Sequence, residues 1–361
     1  MKKGLRILRI KGIDVYLHYS WWIIFALLAY SLALDFFPSA YPGLSGVMYW
    51  LMGGLAALSL FVSVLLHELS HSFVAKARKI KVESITLFFF GGVASLPSED
   101  IQPTTEFWMA LAGPLFSLVF AGVLYLVHQL ALPLLWEAVT AYLWQINLIL
   151  GLFNLVPGFP LDGGRVFRAL LMFYYHDIRK ATRIASRGGR FFGGLLVFLG
   201  FLNLLGGNFA GLWSVFLGGF LWMIAKSSYE QVLIKEVLAK IPVHEVMVKK
   251  YLSVQQGDRF DKVLRLYKEN ADDIFIVRNK RTFVGIVDMR MVRTLSEKLR
   301  VVEVMIPAKD IEVLSVKENT YDALRKFETQ GLSVLPVVEK SIKGVVTMNK
   351  VVHRLALEMK N

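Results

Sequence analysis

The chain has 361 residues, 55% of them hydrophobic, a formal net charge of +13 and no cysteine. The length accommodates two domains, and the apolar content is above the usual soluble range. Without cysteine there can be no disulfide and no thiolate metal site, so a transition metal has only imidazole and carboxylate to hold it.

The positive charge does not read as a nucleic-acid signal, and no nucleic-acid partner is expected. Sixteen of the 41 Lys and Arg precede Lys226, and they are confined to residues 2–11, 76–81 and 165–190. The intervening stretches of 64, 83 and 35 residues carry none. That is the pattern of a polytopic membrane protein with its basic clusters in cytoplasmic loops.

The first predicted element is an apolar span over 20–37. No small-residue cleavage site follows a short apolar core, so it reads as a retained span. A second apolar run, 47–75, ends in His67-Glu68-Leu69-Ser70-His71. Charged groups at membrane depth cost roughly 2.5–3.5 kcal/mol on insertion scales and read as functional. His67 and His71, at i and i+4, share a helix face and can reach one metal. Glu68 sits beside them, where a base for the attacking water is needed.

Residues 84–96, SITLFFFGGVASL, place β-branched and aromatic residues around Gly91-Gly92 and predict a membrane-associated β-hairpin. In hydrocarbon such backbone must be shielded by protein or line a cavity. Spans over 107–130 and 134–156 follow. The second of these is interrupted at its end by NLVPGFPLDGGR, residues 154–165, with two prolines and three glycines. Asp162 in this segment reads either as a third metal ligand or as a helix N-cap. Asn154 reads either as a donor to the oxyanion of a scissile carbonyl or as a partner for backbone freed by Pro157. Spans over 191–205 and 209–225 bring the total to about six transmembrane helices. With the N-terminus inside, the outer loops 38–46, 129–133 and 206–208 contain no Lys or Arg.

From Lys226 onward, 25 basic and 18 acidic residues and short apolar strands predict a soluble α/β domain. It contains a repeat: HEVM at His244 recurs as VEVM at Val302, LSV at Leu252 recurs at Leu314, and GIVDM at Gly285 recurs as GVVTM at Gly344. The domains are thus 1–225 and 226–361, with repeats at about 241–298 and 299–356.

HELSH resembles the zinc-peptidase signature HExxH. Its apolar setting, the LDGG at 161–164, and the stretches HYSW, LFFFGGVASL, LAGPLFS and NLVPGFPLDGGR extend the likeness. Residues 1–225 resemble the site-2 protease family of intramembrane zinc metalloproteases, without the PDZ-like insertion of many relatives. The resemblance implies one zinc ion per chain, with His67, His71 and Asp162 as ligands, Glu68 as catalytic base and Asn154 as a further catalytic residue. It implies transmembrane protein substrates, a cell-membrane location, and regulated intramembrane proteolysis.

The C-terminal repeat resembles a pair of cystathionine-β-synthase (CBS) domains. Such pairs often bind adenine nucleotides and regulate the attached domain. The family's ribose contact is commonly an Asp three residues after a Ser or Thr of the last strand. Here Lys350 stands at that spacing from Thr347, and Asp288 and Met291 hold the two positions in the first repeat. Nucleotide binding and a purely dimerising role, as a homodimer through the CBS domains, both stay open. The reading is therefore a zinc-dependent intramembrane endopeptidase regulated by its CBS pair, with the N-terminus and the pair in the cytoplasm. His67 is nine residues from Lys76, about 13 Å of helix, which puts the site in the bilayer near its cytoplasmic face. A CBS-regulated transporter or channel competes, as does a catalytically silent binder of membrane proteins.

Overall fold

The computed structural model describes residues 4–88, 91–95, 101–270, 273–280, 282–292, 298–339 and 341–359. The chain divides into two compact units, Met1–Tyr229 and Glu230–Asn361.

The first unit opens with a sheet. Strands β1 (Leu5–Ile10) and β2 (Ile13–Leu17) pair antiparallel, β2 pairs parallel with β3 (Ser84–Phe88), and β3 pairs antiparallel with β4 (Gly91–Ser95). The order is β1-β2-β3-β4, which leaves β4 at an edge. The stretch expected as a hairpin contributes β3 and β4, half of this sheet. Its Phe89, Phe90 and Leu96 lie outside the described residues. Alternation drives the pairing: Ile13, Val15 and Leu17 of β2 and Ile85 and Leu87 of β3 are buried, as the two-residue period requires.

Seven helices follow the chain: α1 (Ser20–Ala40), α2 (Gly46–Ala77), α3 (Pro103–His128), α4 (Leu134–Asn154), α5 (Asp162–Tyr175), α6 (Ile178–Leu205) and α7 (Gly211–Ala239). Among the described residues, four of them, α1, α2, α3 and α6, are long and apolar enough to cross a membrane. The fourth expected span is helical as α4, but Glu137, Gln145 and Asn147 make it more polar. The sixth is the apolar part of α7, which runs on into the charged segment after Lys226. The fifth, expected as a short span over 191–205, is the second half of a 28-residue helix whose basic first half is continuous with it.

Small residues let these helices approach closely, as membrane helix packing requires. A Cβ at Gly53 of α2 would fall against Ala29 and Ala33 of α1. The segment between α4 and α5 is clasped by four glycines. On one side Gly188 and Gly189 of α6 lie against Pro157 and Phe159, and Phe159 N–H donates to Ala185 O at 3.2 Å. On the other, Gly163 and Gly164 of α5 abut the backbone from Leu155 to Phe159. The Gly-Gly after Asp162 thus seats the start of α5 on the broken segment, which fixes the position of that aspartate.

The second unit repeats itself. Strand β5 (Ser253–Gln255), helix α8 (Phe260–Asn270), and strands β6 (Ile274–Asn279) and β7 (Thr282–Asp288) are followed by a short β8 (Ile306–Pro307). Helix α9 (Thr320–Gln330), strands β9 (Val334–Val338) and β10 (Ile342–Thr347) and helix α10 (Met348–Glu358) complete it. Val254 pairs in parallel with Val277, and Leu314 pairs in parallel with Val337. This matches Val254 to Leu314, so the two LSV triplets are not structural equivalents. They are offset by two residues.

Candidate metal centre

The geometry starts from one face of α3. Met109, Gly113 and Ser117 are spaced four apart and so stack along one side of that helix. This side faces His67 and His71, which are spaced likewise on α2. His71 Nδ1 lies 2.6 Å from Met109 O, and His67 Nδ1 lies 2.9 Å from Ser117 Oγ. A carbonyl can only accept, so His71 Nδ1 carries the proton there and its Nε2 is left as a lone pair in the neutral ring. Gly113 sits between: a Cβ there would overlap both Nε2 atoms.

Both Nε2 atoms point at one oxygen. Asp162 Oδ2 is 3.2 Å from His67 Nε2 and 3.2 Å from His71 Nε2. The three potential ligand atoms lie within 4.8 Å of one another. Asp162 is the first residue of α5, and the N-cap position is Leu161, with no side-chain cap bond. The aspartate is therefore directed at the histidines rather than at its own helix. A lone pair facing a carboxylate oxygen at this distance is repulsive unless a cation or proton lies between them. The donor set fits zinc: two imidazole nitrogens and one carboxylate, with no thiolate in the chain.

The histidines are 4% and 7% exposed, so the site is formed inside protein. A cavity of 660 Å³ opens onto it and is lined by Glu68, Asn154, Asp162 and Arg165. It is also lined by Ile24 and Leu28 of α1 and by Leu217 and Phe220 of α7. Strand β4 borders the cavity, and a Cβ at Gly92 would strike the Glu68 side chain. All five residues expected at a catalytic site are thus at the cavity. His67, His71 and Asp162 converge, whereas Glu68 and Asn154 line the wall around them.

Sequence reasoning did not single out the supports. Glu106 on α3 is 4% exposed, with Arg168 of α5 bonded to both carboxylate oxygens and Arg165 Nε at 3.8 Å. This buried cluster ties the helix that backs the histidines to the helix that carries Asp162. Asn147 of α4, fully buried, donates to Ser63 Oγ at 3.2 Å, one helical turn before His67. For the face of α3 behind the histidines, the available signal was the LAGPLFS stretch, which holds Gly113 and Ser117.

The model of peptidase family M50 matches residues 55–134 and 129–199, and the CBS domain model matches residues 301–357. A protein of Synechocystis sp. carrying the provisional name zinc metalloprotease sll0528 is 33% identical over 97% of this chain and 94% of its own length. A Mycobacterium tuberculosis protein with the provisional name zinc metalloprotease Rip3 is 30% identical over 99% of this chain and 95% of its own. The solved site-2 protease from Methanocaldococcus jannaschii is 31% identical, covering 63% of this chain and 95% of that one, with a TM-score of 0.43. The chain belongs to peptidase family M50, the site-2 protease family of zinc metalloproteases, and carries a C-terminal CBS domain.

Proposed function

We propose that the chain is a zinc-dependent endopeptidase that hydrolyses peptide bonds within membrane-spanning segments of other proteins. The observation that carries this is the meeting of His67 Nε2, His71 Nε2 and Asp162 Oδ2 beside Glu68, at one end of a largely apolar cavity. His67, His71 and Asp162 would hold one zinc ion, which when bound supplies Lewis acidity for the scissile carbonyl and for water. Met109 O and Ser117 Oγ hold the two rings with their Nε2 atoms facing the centre, and this support also raises ligand basicity.

Glu68 takes the proton of the attacking water and returns it to the leaving amine. Asn154, at the last residue of α4 and on the cavity wall, donates to the carbonyl oxygen as it gains charge. The substrate must be extended, because a helix hides its amides. Among the described residues the edge strand β4 has one partner strand, and an extended segment would add to its other side as a further strand beside Glu68. Six spans, with the N-terminus and the second unit in the cytoplasm, agree with the confinement of basic residues to three clusters.

The second unit regulates this activity as a CBS pair, and adenine nucleotide is the ligand to test there. What supports the pair is the register of β5 with β6 matched by that of Leu314 with β9. Thr347 Oγ1 already accepts from Lys350 N–H as the cap of α10, which favours assembly over ordinary ribose binding as its role.

The test compares wild type with Glu68→Gln on a reconstituted model substrate, with zinc measured on the same samples. Wild type should cut, and the variant should keep its zinc and cut about 10²–10⁴ times more slowly. Equal cleavage by both would remove Glu68 from the chemistry. Zinc-dependent ion flux without cleavage would favour the transporter.

A further inference from the structure

A second open cavity, of 500 Å³, lies away from the metal centre, against the outer faces of α6 and α7. It is lined by Arg187, Arg190, Phe191, Gly194, Leu195 and Phe198 of α6 and by Trp222 of α7. The α6 residues recur at intervals of three and four, so they form one stripe along the helix. The stripe has two chemistries. Its first turn is guanidinium and the rest is apolar. From Phe191 to Leu205 the helix carries no charge, so the stripe passes from basic to apolar within one helical turn.

The trough is built into the helix packing. Gly193 lies against Gly218, and Gly200 against Gly211, so α6 and α7 cross at backbone contact. Beside that crossing Gly194 leaves a gap: a Cβ there would come 3.0 Å from the Trp222 ring. Phe191, Phe198 and Trp222 remain 66%, 59% and 47% exposed. At the polar end, Arg190 Nε is enclosed and has no hydrogen-bond partner. Neither arginine has an acidic partner among the described residues. Two guanidinium groups without an acidic partner thus line the same trough, and a phosphate is the acceptor that their planar forks fit.

We propose that this groove is a binding site for an anionic phospholipid, with its phosphate on Arg187 and Arg190 and an acyl chain along Leu195, Phe198 and Trp222. Basic pockets between membrane helices at the membrane surface recognise such headgroups. A packed helix of a second copy would cover the apolar part but would leave the arginines unanswered. The occupant that satisfies both ends is an amphiphile with one negative head.

The full chain, reconstituted in vesicles of phosphatidylcholine and phosphatidylglycerol and extracted gently, is examined for bound lipid by native mass spectrometry. Wild type should retain phosphatidylglycerol in excess of its share of the vesicle, by about fivefold for each arginine. The double variant Arg187→Gln/Arg190→Gln should lose the excess, and Arg187→Lys/Arg190→Lys should keep most of it. Gly194→Leu, which fills the trough and leaves both charges, should also lose it. Zinc content equal to wild type certifies that each variant is folded. Equal phosphatidylglycerol on wild type and on the double glutamine variant overturns the site. So does a wild type that forms a dimer lost in Gly194→Leu while holding no lipid excess, because a second copy would then be the occupant.

Discussion

The candidate metal centre and the Asp288 cluster of the second unit use similar residues to opposite ends. At the centre, the rear nitrogen of each imidazole is engaged, by Ser117 Oγ and Met109 O, and the forward nitrogens converge with a carboxylate. Asp288 is more deeply buried than Asp162, at 1% exposure, yet both its oxygens are consumed within two residues: Arg290 Nε lies 2.9 Å from Oδ1 and 3.2 Å from Oδ2, and Arg290 N–H donates to Oδ1 at 3.0 Å. The hydrogen bond to Asp288 in turn holds the Arg290 guanidinium above its ordinary value. A buried carboxylate signals a ligand site only when the surrounding structure leaves its oxygens unspent. What distinguishes the two regions is the remainder after local hydrogen bonding, not the residue types.

The comparison breaks most directly at Gly113. Gly113→Ala places a methyl group on both Nε2 atoms, so rings now held by Ser117 and Met109 must shift or the helices must part. Zinc affinity should fall by more than the ~100-fold that loss of a supporting partner costs, and cleavage should fall with it. Wild-type zinc affinity in Gly113→Ala would show that the rings have freedom this packing denies. Ser117→Ala is milder. It leaves His67 in place but frees its ring, and zinc affinity should drop by about 10–100-fold, read by competition with a chelator. An unchanged affinity would mean that Asp162 alone orients His67.

The same contrast explains which parts of the molecule the sequence disclosed. His67, Glu68 and His71 are announced by charge in an apolar run, and Asp162 by its place in a broken segment. Met109 contributes only a backbone carbonyl, which any residue could supply, so no side chain marks it. Gly113 acts by what it lacks, and the cost of a side chain there depends on two rings from another helix. Strands β1 and β2 were invisible for another reason. Leu5–Ile10 is largely exposed, and the parallel partner of β2 is β3, about 70 residues on, beyond the reach of local pattern. In the second unit the repeat was legible from GIVDM and GVVTM, which the strands match. The LSV triplets misled because three residues in a short strand match by chance in either register.

Breaking the self-satisfied pair should have a local and smaller effect. Arg290→Gln leaves Asp288 with its backbone contact but without the guanidinium. Arg290 is 43% exposed in its side chain, so solvent offsets part of the loss and the cost should be about 1 kcal/mol. It should appear as a lower melting transition of the second unit in calorimetry of the full chain, with zinc content unchanged. A change in zinc content would show that the two regions are not energetically separate.

The smallest effect, at Asp258, sharpens the comparison by adding a carboxylate that is satisfied at the surface. Burial would raise its pKa, but Lys262 Nζ at 2.8 Å and Gln255 N–H at 2.9 Å outweigh that and hold it below the ordinary carboxylate range. A carboxylate depressed in the folded state adds stability above its unfolded pKa, near 4, and loses it as pH falls through the folded value. Wild type should therefore melt slightly above Asp258→Asn at pH 7, and the gap should close as the pH is lowered below 4. The effect should shrink in high salt, because the pair is a surface one at i, i+4. A gap that persists unchanged into acid would show that the charge of Asp258 is not the source of the benefit.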